Sequence, residues 1–137
     1  MTSEVLNQKI ESLRNCVQRI ESKVPFALKD LKQNFDLQDI VSVNLQRAVQ
    51  VCVDIGVHLL AEAKGPAPST MAESFEQLRA AKIISPRVQM SLAKSVGLRN
   101  MLVHAYSKIN WKIVHEVCHK HLGVFKRFAA EISNLRS

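Results

Sequence analysis

Four side chains that could do chemistry lie close together in the sequence: Arg99, Asn100, His104 and Tyr106. An arginine holds a phosphate with two parallel hydrogen bonds, and a histidine, which titrates near neutral pH, accepts or donates a proton. No cluster of carboxylates that could bind a divalent metal lies beside them. The set therefore suits metal-independent chemistry on a phosphodiester. It favours RNA over DNA, because RNA supplies its own nucleophile, the 2′-hydroxyl.

The position of Arg99 on a predicted helix is energetically demanding. At 100° per residue, Arg99 shares its face with apolar residues such as Leu92 and Val103. An unpaired buried charge costs several kcal/mol, so we expect Arg99 to face a polar cleft, an anionic ligand or a carboxylate. The plainer alternative is a buried ion pair with an acid such as Asp54.

The other members of the set do not all share the face of Arg99. Asn100 and His104 are four residues apart and lie on one face, but His104 is about 140° around the helix from Arg99, and Tyr106 is nearly opposite His104. The motif makes chemical sense only if the helix ends or distorts near His104, or if a second subunit supplies the matching group. We therefore expect a homodimer whose cleft is lined by the motifs.

The run from Arg99 to Tyr106 resembles the R-N-x-x-x-H-x-Y signature of HEPN-domain ribonuclease toxins of the HepT type. The resemblance extends over most of the chain. Outside the motif it includes the Gly65-Pro66 loop and the following residues: Asn44, Leu45, Ala48, Asp54, Ile55, His58, Phe75 and Leu78.

The resemblance implies a dimeric helical bundle that acts as the toxin of a toxin–antitoxin pair and cleaves RNA without a metal or other cofactor. Arg99 and His104 would be catalytic, with Asn100 in support. It also implies a partner, a nucleotidyltransferase of the MntA type, that neutralises the toxin by transferring AMP to Tyr106. Such a modification is physically plausible, since a bulky anion beside Arg99 would fill the cleft and occupy its phosphate site.

The elements that must position these residues are predicted to be helices. The chain has 137 residues, 47% of them hydrophobic, with only 4 Gly and 4 Pro, too few for the turns of an all-β fold. We predict one all-α domain over residues 1–137, an up-down, HEPN-like bundle of about five helices. Its predicted elements are a long helix with a seam from Leu6 to Val24, a short piece ending near Asn34, a helix capped by Asp36 and reaching about Lys64, a helix capped by Thr70 and reaching about Ala81, a helix capped by Ser85 and reaching about Ser107, and a last helix capped by Asn110.

The net charge of +7 is concentrated near the C-terminus. Residues 1–81 carry nine basic and ten acidic residues, whereas residues 82–137 carry ten basic residues against Glu116 and Glu131. A basic region of this kind attracts polyanions such as nucleic acid. From charge alone, a solvated basic surface without a nucleic-acid partner is an equally good interpretation. No signal peptide or run of about 18 apolar residues is present, which predicts a soluble cytoplasmic protein.

For the other candidate residues, a purely structural role is an alternative to a functional one. Asp54 and His58 are an i, i+4 pair that we expect to form a core hydrogen bond, or else to orient the motif. His115, His119 and His121 contain one pair with metal-ligand spacing but no convincing third ligand, so we interpret them as an exposed polar face. The three cysteines, Cys16, Cys52 and Cys118, are predicted to be reduced core thiols.

The function has one alternative from a different class. In it the chain is a non-catalytic helical module, and Arg99 only holds a nucleotide or an acidic helix of a partner.

Overall fold

A computed structural model describes residues 2–105 and 108–135 of the chain, and within these ranges all regular structure is helical. The seven helices are α1 (Thr2–Glu21), α2 (Leu28–Gln33), α3 (Phe35–Glu62), α4 (Met71–Ala80), α5 (Pro86–His104), α6 (Trp111–Lys120) and α7 (Gly123–Leu135). The predicted all-α fold class is confirmed, with two helices more than expected.

Helix α3 lies at the centre of the molecule and contacts α1, α2, α4, α5 and α7. Its long partner α1 presents the seam predicted from the sequence, since Leu6, Ile10, Leu13, Val17 and Ile20 are all buried. Helix α3 is long and apolar enough to cross a bilayer by length and composition, but half of that window is buried inside the bundle. That burial is typical of the core helix of a soluble protein.

Three helix starts follow the capping residues predicted from the sequence. The Thr70 hydroxyl accepts a hydrogen bond from the Glu73 N–H at 3.0 Å, and the Ser85 hydroxyl accepts one from the Val88 N–H at 3.2 Å. The Asn110 side chain caps α6 through the N–H groups of Lys112 and Ile113. These caps satisfy N–H groups that have no partner within a helix.

Two helix boundaries differ from the prediction. Helix α3 is capped by Asn34 and not by Asp36, because the Asn34 side chain accepts from the Leu37 N–H at 3.0 Å and the helix begins at residue 35. Helix α5 ends at His104 and does not extend to Ser107; the N–H of its C-cap, Ala105, bonds to the Met101 carbonyl at 2.9 Å. Ser107 itself lies outside the described residues.

The predicted last helix is in fact two helices, α6 and α7, separated at His121 and Leu122. The apolar spacing hid this break, because Cys118, Leu122 and Phe125 remain buried on both sides of it. The new helix begins at Gly123. Glycine has the lowest helix propensity of any residue except proline, so it is unfavourable in the interior of one continuous helix.

The three cysteines are buried and unpaired, as predicted. Burial raises the pKa of the Cys118 thiol to about 12, and it also raises the pKa of Cys52 and Cys16. A thiol with a raised pKa stays protonated and is a poor nucleophile and metal ligand.

Candidate active site at the end of helix α5

Helix α5 carries the three candidate catalytic residues along its last two turns. Its start is fixed by Ser85 and Pro86, and buried Leu92, Leu98 and Leu102 hold it against the bundle. The C-terminal part of α5 is therefore a rigid support, and the chain leaves the helix directly after His104.

Arg99 is partly buried, and its Nη1 atom donates a hydrogen bond to the Asn100 Oδ1 atom at 3.3 Å. Among the described residues, the acids that form ion pairs do so with Arg14, His58, His121 and Lys126, and none pairs with Arg99. The alternative of a buried ion pair with Asp54 is therefore not formed. The charge of Arg99 therefore remains available for an anion, and the Asn100 amide oxygen accepts a hydrogen bond from one of its nitrogens.

His104 is exposed and is the last residue of α5, so one of the two conditions set by the sequence is met: the helix ends there. The end of the helix does not bring His104 to Arg99. Arg99 and His104 are five positions apart, which is about 7.5 Å along the helix axis and about 140° around it. Within one chain the structure joins Arg99 to Asn100 by a hydrogen bond, and among the described residues His104 forms none with either of them.

Tyr106, the predicted site of modification, lies outside the described residues. The described residues that flank this gap are Ala105 and Lys108: the Lys108 N–H bonds to the Ala105 carbonyl at 2.9 Å, and Asn110 then caps α6.

Asp54 and His58 on α3 do not form the predicted core hydrogen bond with each other. Asp54 Oδ1 accepts from the Gln50 side chain at 3.0 Å, one turn earlier. His58 Nε2 is buried and lies 3.7 Å from Glu62 Oε2, one turn later, which is too long for a hydrogen bond. Each residue thus pairs along α3 in the direction away from the other, and among the described residues neither forms a hydrogen bond or ion pair with Arg99, Asn100 or His104.

The interpretation of the α6 histidines as an exposed polar face is wrong for His115 and His119. Both are partly buried, with their rings stacked at a centroid distance of 4.1 Å. His115 Nε2 donates to the Phe26 carbonyl at 2.8 Å, and His119 Nε2 accepts from the Phe26 N–H at 3.1 Å. The pair fixes the segment before α2, so its nitrogens serve the fold. His121 is exposed, 3.6 Å from Glu116.

A groove between α5, α6 and α7 was not predicted. It has a volume of about 660 Å³. Its charged rim consists of Arg87, Lys94, Lys120 and Arg127, and we call it the basic groove. The basic C-terminal composition was the signal for it, but composition alone could not place these side chains around one cavity.

Comparisons with known proteins agree with the resemblance drawn from the motif. A family model described as Ribonuclease HepT-like matches residues 13–132. An mRNA nuclease HepT from Shewanella oneidensis is 35% identical over 126 residues, which cover 92% of this chain and 94% of the relative. A tRNA nuclease HepT from Aphanizomenon flos-aquae is 29% identical over 106 residues, which cover 77% of this chain and 72% of the relative.

The fold is also shared with solved structures. A tri-AMPylated Shewanella oneidensis HEPN toxin in complex with an MNT antitoxin superposes with a TM-score of 0.87 at 35% identity, covering 95% of this chain and 97% of that chain.

Proposed function

Since the chain belongs to the ribonuclease HepT-like family, we propose that it is the toxin of a toxin–antitoxin pair and cleaves RNA through Arg99, His104 and Asn100. Membership confirms the predicted family and the enzyme class, a ribonuclease. The observation that carries the assignment of the site is a guanidinium without a carboxylate partner among the described residues, on the helix that ends at an exposed histidine. We also propose that the protein acts in the cytoplasm, where cellular RNA is available as a substrate.

The proposed reaction needs no metal. A 2′-hydroxyl attacks the adjacent phosphorus, the bond from phosphorus to the 5′-oxygen breaks, and a cyclic phosphate and a free 5′-hydroxyl remain. His104 moves a proton between the ribose hydroxyls and solvent, and Arg99 neutralises the charge that develops on the phosphate. Asn100 holds Arg99 in place through its amide oxygen.

We propose that the complete site forms in a homodimer. Within one chain Arg99 and His104 lie on different sides of α5, so one phosphate is more readily reached by Arg99 of one subunit and His104 of the other. A two-fold axis near the end of α5 would create two such sites.

Cleavage of RNA by the purified protein in EDTA tests the assignment. We expect cleavage by the wild type and a loss of about 10²- to 10⁴-fold in His104→Ala and about 10²- to 10³-fold in Arg99→Ala. Arg14→Ala is the matched control, because Arg14 is exposed on α1, away from α5, and among the described residues its one ion pair is with Glu11 at 4.0 Å. Circular dichroism checks that each variant is folded.

Cleavage that continues in both variants would remove Arg99 and His104 from the reaction. Tight binding of RNA by the wild type, with no product after long incubation, would favour the non-catalytic binding module instead.

We further propose that a nucleotidyltransferase antitoxin silences the toxin at Tyr106. The relative of known structure is described as tri-AMPylated and bound to an MNT antitoxin, which supports this regulation. In the transfer, the Tyr106 phenol oxygen attacks the α-phosphorus of ATP, pyrophosphate leaves, and the phenol proton passes to solvent. The added phosphate would be a negative group two residues beyond His104, able to compete with RNA for Arg99.

Co-expression with the nucleotidyltransferase, followed by intact-mass spectrometry, tests the modification. The wild type is expected to gain mass in steps of one AMP and to lose nuclease activity, and Tyr106→Phe is expected to gain none. A protein with no adduct, or Tyr106→Phe with the same adduct, would contradict the assignment.

A further inference from the structure

The basic groove combines a charged rim with an apolar floor. Arg87, Lys94, Lys120 and Arg127 on the rim are all exposed. Leu98 and Met101 of α5 and Val117 of α6 are among the apolar side chains that line the cavity. A cavity of this composition can hold a flexible anionic chain with apolar faces, and single-stranded nucleic acid has both properties.

The charge on the rim is not neutralised by the protein. Neither acid of the C-terminal part lines the groove: Glu131 accepts a hydrogen bond from the Ser85 N–H at 2.9 Å, and Glu116 lies 3.6 Å from His121, a groove-lining residue that is not one of the four rim cations. Among the described residues none of the four rim cations takes part in an ion pair. Four unpaired cations around one groove create a positive potential that attracts a polyanion.

We propose that the basic groove binds the backbone of single-stranded RNA and leads the strand to His104, an inference that rests on the proposed ribonuclease function. A duplex would touch the rim with its phosphates and leave the apolar floor uncovered, whereas unpaired bases can cover it. Among the described residues no Phe, Tyr or Trp lines the groove and its one aromatic ring is the imidazole of His121, so bases contact mainly aliphatic groups and binding has little sequence preference.

The geometry of α5 connects the groove to His104. From Arg87 to Met101 the groove follows fourteen residues of α5, which is roughly 21 Å at 1.5 Å per residue. His104 lies one turn after Met101 and about 60° around the helix from it, whereas Arg99 is about 160° away from Met101. A strand that continues past Met101 therefore reaches the end of α5 on the side of His104, while Ser95, about 40° from Arg99, also lines the groove.

Binding of a 2′-O-methylated RNA oligonucleotide, which this chemistry cannot cleave, tests the groove independently of catalysis. In the double variant Lys94→Ala with Lys120→Ala we expect affinity at low salt to fall about tenfold. The slope of log affinity against log salt should become shallower by about 1.4, which is 0.7 for each of two phosphate contacts on a single strand. Lys29→Ala with Lys32→Ala, on exposed positions of α2, removes the same charge and should change both values little.

Equal losses in the two double variants would overturn the proposal, because binding would then depend on net charge alone. It would also be overturned if a poly-glutamate peptide of matched charge bound as tightly and lost affinity equally in the groove variant, since the groove would then fit an acidic protein. In cleavage assays the groove variant should raise KM with kcat unchanged. A wild type that binds the oligonucleotide through the groove but cuts no RNA would contradict the proposed function and leave the groove assignment intact.

Discussion

At the scale of single residues, the candidate site depends on the absence of a carboxylate partner for Arg99 among the described residues. Asn100 offers it a neutral oxygen at 3.3 Å, in a position where a carboxylate would have neutralised the guanidinium. A hydrogen bond from Arg to an amide orients the side chain and leaves its full charge for a phosphate. The identity of residue 100 therefore controls how strongly the site attracts an anion.

Two substitutions of Asn100 separate orientation from charge. Asn100→Ala removes the orienting oxygen, and we expect kcat/KM for RNA to fall about tenfold. Asn100→Asp keeps an oxygen in the same place but pairs Arg99 with a carboxylate, so we expect a larger fall, expressed mainly in KM. Steady-state kinetics on a short RNA measures both. An Asp variant more active than the Ala variant would show that the charge of Arg99 is not needed to hold substrate.

Local chemistry explains why the motif could be read from the sequence and why the histidines of α6 could not. Arg99, Asn100 and His104 lie within six positions, so their spacing on one helix is visible directly. His119 acts through the backbone of Phe26, 93 positions away, and only the packing of α2 on α6 brings the two together. Polar residues that serve distant backbone groups resemble surface residues in a sequence.

At the scale of elements, side-chain caps made most helix starts predictable. Thr70, Ser85 and Asn110 were recognised because each is a good capping residue before an apolar helical pattern. Glu73, three residues after Thr70, and Pro86, directly after Ser85, strengthened two of these predictions. The start of α3 was misplaced because Asn34 and Asp36 are both good caps, and only the structure shows which one accepts the N–H of Leu37. The break between α6 and α7 was missed because burial continues through it. The end of α5 was predicted about three residues too late, at Ser107 and not at His104.

The cap of α3 can be tested by its effect on stability. Asn34→Ala removes the acceptor for the Leu37 N–H, and we expect the free energy of unfolding to fall by about 1 kcal/mol. Asn34→Asp retains an acceptor and adds a negative charge, which is favourable at a helix N-terminus. Its midpoint of unfolding should therefore lie at the same urea concentration as that of the wild type or at a higher one. Urea denaturation followed by circular dichroism measures the difference. Equal destabilisation by both substitutions would mean that the amide oxygen of Asn34 does not stabilise α3.

At the scale of the whole molecule, the positions of Arg99, His104 and the basic groove favour a dimer in which each site uses groups from both subunits. The groove leads towards His104 at the end of α5, and Arg99 lies about 140° from His104 around the same helix. A monomer would hold a strand beside its histidine without the arginine that neutralises the phosphate. Two subunits with their α5 ends facing each other supply both groups at each of two sites, so we expect activity to require the dimer.

Mixing two inactive variants tests this arrangement. Arg99→Ala retains His104 and His104→Ala retains Arg99, so a mixed dimer has one site with both groups and one site with neither. Random exchange makes half of the dimers mixed, each with one of two sites intact, and we expect about a quarter of wild-type activity to return. The variants are mixed after mild denaturation and refolded together, and each variant refolded alone is the control. A mixture no more active than its components would place Arg99 and His104 of a single subunit in each site, and the dimeric site would have to be abandoned.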